Sequence, residues 1–161
     1  MPIDPVGPDL AISLQLDPYA PRAARYHVAQ VDRPSPDLRD AVILLTSELV
    51  TRAAQHRQPD SDQAVELRVW MPADVVRVEL RAPPELLSQP PERNGAHYDL
   101  LLLDQIADRW SIDTAEDLAC AWFEIDRPRT EREAEPEPQR HPDGRRRRSL
   151  ARRWPSGTTA R

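Results

Sequence analysis

The chain of 161 residues has a single cysteine and no lysine. One cysteine, Cys120, excludes a framework of intrachain disulfide bonds, and the apolar sequence around it (LACAWF) indicates a buried, unreactive thiol. All 22 basic residues are arginine and 18 residues are proline, which is typical of a GC-rich genome rather than of a particular function. The formal net charge of −5 favours no class of partner.

The sequence also lacks the segments that direct a chain to a membrane. No basic region followed by an apolar one opens the chain, and no apolar run is long enough to span a bilayer. We therefore expect a cytoplasmic protein. The length suits one domain of ordinary size with a tail.

The longest periodic segment, Leu38–His56 (LRDAVILLTSELVTRAAQH), predicts an amphipathic helix that Ser35 is placed to cap. Its apolar residues recur at three- and four-residue intervals and form one stripe: Leu38, Ala41, Val42, Leu45, Leu49 and Ala53. Glu48, Arg52 and His56 follow one another at intervals of four, which puts them on one face of the helix. That face is the first candidate for a functional site.

The run SELVTRAAQH in this helix resembles the SELVTNAVRH segment of histidine-kinase-type ATPase domains, which have the Bergerat fold. The resemblance is to the branch of anti-sigma-factor serine kinases and their single-domain actinobacterial relatives. In that family the Glu of the helix acts as, or positions, the catalytic base, and Glu48 matches it. The Asn four residues later holds the magnesium ion that bridges the ATP phosphates, and Arg52 stands in its place.

The segments on either side of this helix predict the rest of a small domain. Alternation and turn residues predict strands at Leu10–Leu16, Ala64–Met71, Val75–Arg81 and Leu118–Ile125, a strand opening at Trp110–Ile112, and helices at Arg22–Val31 and Asp99–Asp108. Residues 82–98 contain four prolines and predict a loop, which the resemblance implies is the lid over the nucleotide. The resemblance covers residues 14–126. It implies an α/β (α+β) two-layer sandwich, with a mixed, mainly antiparallel sheet and helices on one face.

Three regions follow from this pattern: a loose N-terminus at 1–9, the ATPase-like domain at 10–126, and a tail at 127–161. The tail has 11 arginines and five acidic residues, a net charge of +6, against −11 for residues 1–126. It has too few apolar residues to form a core, so we expect disorder. Its arginine cluster around Arg145–Arg148 is either a solvated tail that screens the acidic domain or an attraction for nucleic acid or an acidic partner.

A second family motif is altered at the end of the third predicted strand. The family's D-x-G-x-G supplies an Asp that accepts a hydrogen bond from the adenine amino group, and glycines that let the base approach the backbone. The motif aligns with Ala82–Leu86. Ala82 cannot accept that hydrogen bond, and Pro84 and Leu86 replace the glycines, so that proline fixes φ where the family has a permissive backbone.

The third family motif, the phosphate-binding G-x-G-L turn, aligns with His97–Leu100, where His97 and Asp99 replace the glycines. Asp99 puts a negative charge near a helix N-terminus, where a triphosphate would need to bind. Two like charges about 4 Å apart cost roughly 4 kcal/mol at an effective dielectric constant near 20. Asn94-Gly95 nearby could supply a shifted turn, which leaves a rearranged pocket open.

Arg52 also removes a contact that nucleotide binding needs in the family, because a guanidinium cannot ligate magnesium. Two roles stay open for it. It either forms an ordinary ion pair with Glu48 across one turn, worth a few tenths of a kcal/mol, or replaces magnesium by neutralising phosphate directly. We expect His56 to cap the C-terminal end of the helix. No cluster of Cys and His accompanies it in the sequence, so no metal site is expected.

Three altered motifs on a recognisable scaffold predict a domain that has lost nucleotide chemistry, since fold alone does not carry function. We expect a regulatory protein-binding module that resembles an anti-sigma-factor serine kinase, needs no cofactor and keeps Glu48 only as an inactive base position. The family implies a sigma factor or an anti-sigma antagonist as partner, and some relatives dimerise, which leaves a homodimer open.

Two alternative functions stay open beside this one. The first is an active serine/threonine kinase of the same family, which would bind ATP and magnesium through an atypical site formed by Glu48, Arg52 and Asn94-Gly95. The second is association with nucleic acid through the basic tail. Only Trp154 accompanies the tail's arginine cluster as an aromatic residue, so we expect no nucleic-acid partner.

Overall fold

The structure, a computed structural model, describes residues 7–31, 35–87 and 98–128, apart from the side chains of Tyr98 and Asp99. The elements in chain order are β1 (Leu10–Gln15), α1 (Ala20–Val28), α2 (Pro36–Gln55), β2 (Ala64–Trp70), β3 (Val75–Ala82), α3 (Pro84–Leu87), α4 (Tyr98–Ile106), β4 (Arg109–Thr114) and β5 (Ala119–Asp126). Asn94, Gly95 and His97, the first six residues, and residues 129–161 lie outside the described residues.

The five described strands form one sheet in the order β1-β2-β3-β5-β4, and all four pairings are antiparallel. β5 lies between β3 and β4, so the two hairpins β2–β3 and β4–β5 meet at the centre of the sheet. β1 and β4 are the edges of the described sheet. The predicted two-layer α/β sandwich with a mainly antiparallel sheet is confirmed.

Successive side chains of a strand point to opposite faces of the sheet, so every second side chain of each strand points to the core. On β3 the core side chains Val76, Val78 and Leu80 are fully buried. The residues that alternate with them, such as Arg77 and Arg81, face the opposite side of the sheet. The helices pack against the core face, with α2 contacting β3 and β5. The opposite face carries charged side chains, and the part of the chain that the structure describes places no helix over it.

Helix α2 begins at Pro36, directly after Ser35, and His56 is its C-cap residue, as predicted. The predicted apolar stripe is buried except for the half-buried Ala41, and Thr46 and Ser47 lie beside it in the interior. The Thr46 hydroxyl donates to the Val42 carbonyl one turn earlier in the helix, with 2.7 Å between the oxygens. This bond gives the buried hydroxyl a hydrogen-bond partner. Ser47 instead accepts a hydrogen bond from Arg25 of α1 at 2.8 Å, and this joins the two helices.

The expectation that residues 82–98 form a loop is wrong for its first part. Pro84–Leu87 forms a short helix, α3, in which the Leu86 N–H donates to the Pro83 carbonyl at 3.0 Å. Proline suits a first helical turn because it lacks the N–H that would have no partner there. The side chains of Leu86 and Leu87 are buried in the core, and this burial stabilises the turn.

The folded domain also includes Asp9 and Arg127. The Asp9 N–H donates to the Val69 carbonyl at 2.8 Å, and its carboxylate accepts from the Met71 N–H at 2.6 Å. The Arg127 side chain is buried and donates to the carbonyls of Met71 and Pro72 at 3.3 and 2.9 Å. The sequence assigns both residues to loose segments, which is wrong because hydrogen bonds to a distant turn leave no periodic signal.

Candidate functional site

The structure brings together the segments that carry the altered family motifs. Helix α2 contacts both α3 and α4, and α3 also contacts β5. Glu48 and Arg52 of α2 therefore lie in the same layer as Pro84 and Leu86 of α3, close to the end of β3 at Ala82. Asp99 lies in the first turn of α4, as predicted for a residue near that helix start.

Arg52 is buried, with 8% of its surface exposed, whereas Glu48 is half-buried. The helix turns Arg52 inward beside Ala53 and Leu49. Leu44, one turn before Glu48, is 39% exposed. Of the two roles left open for Arg52, the ion pair with Glu48 is not among the salt bridges of residues 35–87.

The altered adenine motif is an apolar part of the core. Ala82 is 2% exposed and pairs with Ala119 of β5 at the end of the β3–β5 ladder. Leu86 has no exposed surface and belongs to the same hydrophobic cluster as Ala82 and Leu49. Neither Ala82 nor Leu86 offers a side-chain acceptor to an adenine amino group.

These residues do not fit ATP and magnesium in the manner of the family. The fully buried Leu86 stands at the position of the glycine that, in the family, lets the base approach the backbone. Arg52 supplies no metal ligand, because a guanidinium carries donors only. Among the residues that the structure describes, no three His, Cys, Asp or Glu side chains form a group that could hold a metal ion.

A second polar cluster lies on the sheet face opposite the helices. We call it the charged face, and its members are Glu66, Arg68, Arg77, Glu79, Arg81, Arg109, Trp122, Glu124 and Asp126. Arg77 donates to Glu79 on its own strand and to Glu124 on β5, with N···O distances of 2.9 and 2.7 Å. Arg81 also pairs with Glu79, and Arg109 with Glu124, so each glutamate is held by two arginines.

The amino-acid sequence carries a signal for the charged face, although none of the family motifs includes these residues. Arg77, Glu79 and Arg81 alternate along β3 with buried valine and leucine, which places all three on one face of a strand. Their partners on β5 could not be identified from this pattern, because β3 and β5 are separated by more than 30 residues. The arginines and glutamates of this face neutralise one another, which indicates a structural role.

Two groups near the charged face have shifted pKa values. Hydrogen bonds from Arg109 to Asp126, and then to Glu124, raise the pKa of its guanidinium above the ordinary value. Burial, and then the negative charge of Glu79, raises the pKa of the Cys120 thiol to about 11. Cys120 is half-buried rather than buried as predicted, but its raised pKa keeps the thiol protonated near neutral pH.

A comparison of the chain with protein-family models finds no match, and a comparison with curated proteins finds no significant match. The family resemblance therefore rests on the residues quoted above. In the described part of the chain, no helix has both the length and the apolar character needed to cross a bilayer.

Proposed function

We propose that the chain is a cytoplasmic regulatory protein that binds another protein through a domain like that of the anti-sigma-factor serine kinases, without nucleotide chemistry. The burial of Leu86 carries this proposal. The family has a glycine at the matching position, beside the adenine ring, and here a leucine side chain lies in the core between α2 and β5.

The energetic cost of displacing a buried leucine supports the loss of nucleotide binding. Removing a large apolar side chain from a core costs about 2–5 kcal/mol, and a base that displaced Leu86 would have to supply a comparable amount. Ala82 offers that base no hydrogen bond in return. Arg52 leaves the phosphates without a magnesium ligand at the family's position, so two of the three family contacts are lost within the described residues.

The helical layer offers the apolar side chains that a protein partner could bury. Tyr19 and Tyr26, at the start and on the outer side of α1, are 70% and 64% exposed, and Leu44 of α2 is 39% exposed. Tyrosine combines a large contact area with few rotatable bonds and is enriched where binding energy concentrates. We propose a sigma factor or an anti-sigma antagonist as the partner, following the family resemblance.

The test is a binding measurement against the sigma factors and anti-sigma antagonists of the source organism, with and without Mg-ATP. We expect one partner to bind stoichiometrically, with the same affinity in both conditions. Tyr26→Ala should weaken that complex, and Glu48→Ala should leave it unchanged. Binding that requires ATP, or phosphorylation of the partner that Glu48→Ala abolishes, would support the kinase alternative and overturn this proposal.

A further inference from the structure

Helix α1 carries two tyrosines and an arginine on one side. Tyr19, Arg22 and Tyr26 follow one another at intervals of three and four residues, which places them on the same face of a helix. Tyr19 is the N-cap residue, and its carbonyl already accepts the N–H of Ala23 at 2.9 Å, so this face begins with the first turn. We call these three side chains the α1 patch.

The α1 patch is open to solvent. Tyr19 and Tyr26 are 70% and 64% exposed, and Arg22 is exposed as well. The rings of Tyr26 and His27 meet edge to face, with 5.5 Å between their centroids, which helps to hold the tyrosine in place. The buried side of the helix consists instead of small and branched apolar side chains, namely Ala20, Ala24 and Val28.

Arg22 has a charge that its own domain leaves to solvent. Within residues 7–31, 35–87 and 98–128, none of the ion pairs involves its guanidinium. Arg25, by contrast, donates to Ser47 of α2 at 2.8 Å. Asp17, the nearest acidic residue in the sequence, accepts the Tyr19 N–H at 2.7 Å. The Arg22 guanidinium is therefore accessible to a carboxylate from another chain.

Charge distinguishes α1 from the rest of the domain. The helix (APRAARYHV) contains two arginines, one histidine and no acidic residue, whereas residues 1–126 together have a net charge of −11. An acidic segment of a partner is therefore repelled by most of the domain and attracted to this helix. Tyrosine and arginine are also the residue types in which binding energy concentrates at protein interfaces.

We propose that the α1 patch binds an acidic segment of the partner protein, with a carboxylate on Arg22 and the neighbouring apolar groups against Tyr19 and Tyr26. A guanidinium holds a carboxylate through two parallel N–H···O bonds, a geometry that lysine cannot supply. This inference rests on the proposed function, because it names the part of the partner that the helical layer recognises. It does not require the partner to be a sigma factor or an anti-sigma antagonist.

Selection of phage-displayed random peptides against the full chain tests the proposal. We expect the selected peptides to contain more Asp and Glu than the library, and to bind Arg22→Glu roughly tenfold or more weakly than the wild type. Arg22→Lys should recover only part of this loss. Replacing the essential carboxylate of a selected peptide by arginine should restore its binding to Arg22→Glu. Arg39→Glu is the matched control, because the same charge change lies at an exposed position of α2.

Circular dichroism establishes that each variant is folded, and Arg22→Gln takes the place of Arg22→Glu if the latter fails to fold. The inference is overturned if no peptide is selected, if the selected peptides have no excess of acidic residues, or if Arg22→Glu and Arg39→Glu weaken binding equally.

The same variants separate this inference from the proposed function. A sigma factor or antagonist that binds Arg22→Glu as tightly as the wild type would overturn the inference and leave the proposed function standing. Acidic peptides that bind through Arg22, while no sigma factor or antagonist binds, would support the inference and overturn the proposed identity of the partner.

Discussion

Arg77 on β3 donates to Glu124 on β5 with 2.7 Å between Nη1 and Oε1. The same guanidinium lies over the ring of Trp122, with Cζ 4.3 Å from the ring centroid. The side chains of Glu124 and Glu79 are each 10% exposed, so these charges are largely removed from water although no described helix covers them. Ion pairs therefore join β3 and β5 on the charged face, whereas the opposite face of the same strands packs into the apolar core.

Arg77→Met should lower the free energy of unfolding by about 2–4 kcal/mol, because it leaves two largely buried carboxylates with one arginine each. Urea unfolding followed by circular dichroism measures this change. The control is Arg39→Met, an exposed position on α2, which should change stability by less than about 0.5 kcal/mol. A loss below about 1 kcal/mol in Arg77→Met would contradict a stabilising role for this arginine.

Leu86→Ala should lower the free energy of unfolding by about 2–5 kcal/mol, since the side chain is fully buried and its removal leaves a cavity. Leu118→Ala is the control, because that leucine is 43% exposed in the β4–β5 turn and should lose far less. Thermal or urea unfolding of the two variants gives the comparison. Equal small losses would show that Leu86 does not fill the core, and would remove the main support for the proposed function.

Cys120 should react slowly with thiol reagents in the folded chain. Its pKa is raised from an ordinary value of 9.0 to about 11, so the thiolate fraction near pH 8 falls by about a hundredfold relative to the unfolded chain. Labelling with and without urea measures the ratio. Equal rates in both states would contradict the burial of this thiol.

The raised pKa of Cys120 makes the stability of the fold decrease at high pH. Because the native pKa lies above the unfolded one, the native state binds the proton more tightly. The contribution of Cys120 to stability is complete below about pH 9 and is lost as the pH rises toward 11. Unfolding measured between these values should show a decline that Cys120→Ser lacks. An identical decline in the variant would assign it to other groups.

Arg127→Ala should destabilise the domain by about 2–3 kcal/mol, because the buried guanidinium donates to two carbonyls of the β2–β3 turn. Pro128→Ala, at an exposed position, is the control. Urea unfolding of the full chain with each substitution measures the difference. Unchanged stability in Arg127→Ala would contradict a stabilising role for this residue and would agree with its assignment to the tail from the sequence pattern.

Local periodicity predicts most of the fold. The apolar stripe in α2 and the alternation of apolar and polar residues in β2, β3 and β5 can each be recognised within a single segment. The insertion of β5 between β3 and β4 is a long-range pairing, and no local pattern encodes it. Helix α3 is hidden because the prolines around it are typical of loops, whereas its stability comes from the burial of Leu86 and Leu87.

The candidate site was predicted in part. Alignment with family motifs identified Ala82 and Leu86 as replacements, and the structure adds that both are buried. Residue spacing does not distinguish an exposed Arg52 from a buried one, and it left both roles of this arginine open for that reason. Burial of a charged side chain depends on neighbouring elements, which residue spacing does not describe.

Calorimetric titration of the full chain with Mg-ATP tests the central claim most directly. We predict no binding heat up to about 1 mM nucleotide, because Ala82 offers no acceptor, Leu86 occupies the core and Arg52 cannot hold magnesium. A dissociation constant in the micromolar range, weakened by Glu48→Ala, would contradict the account and establish a nucleotide site on the face of α2.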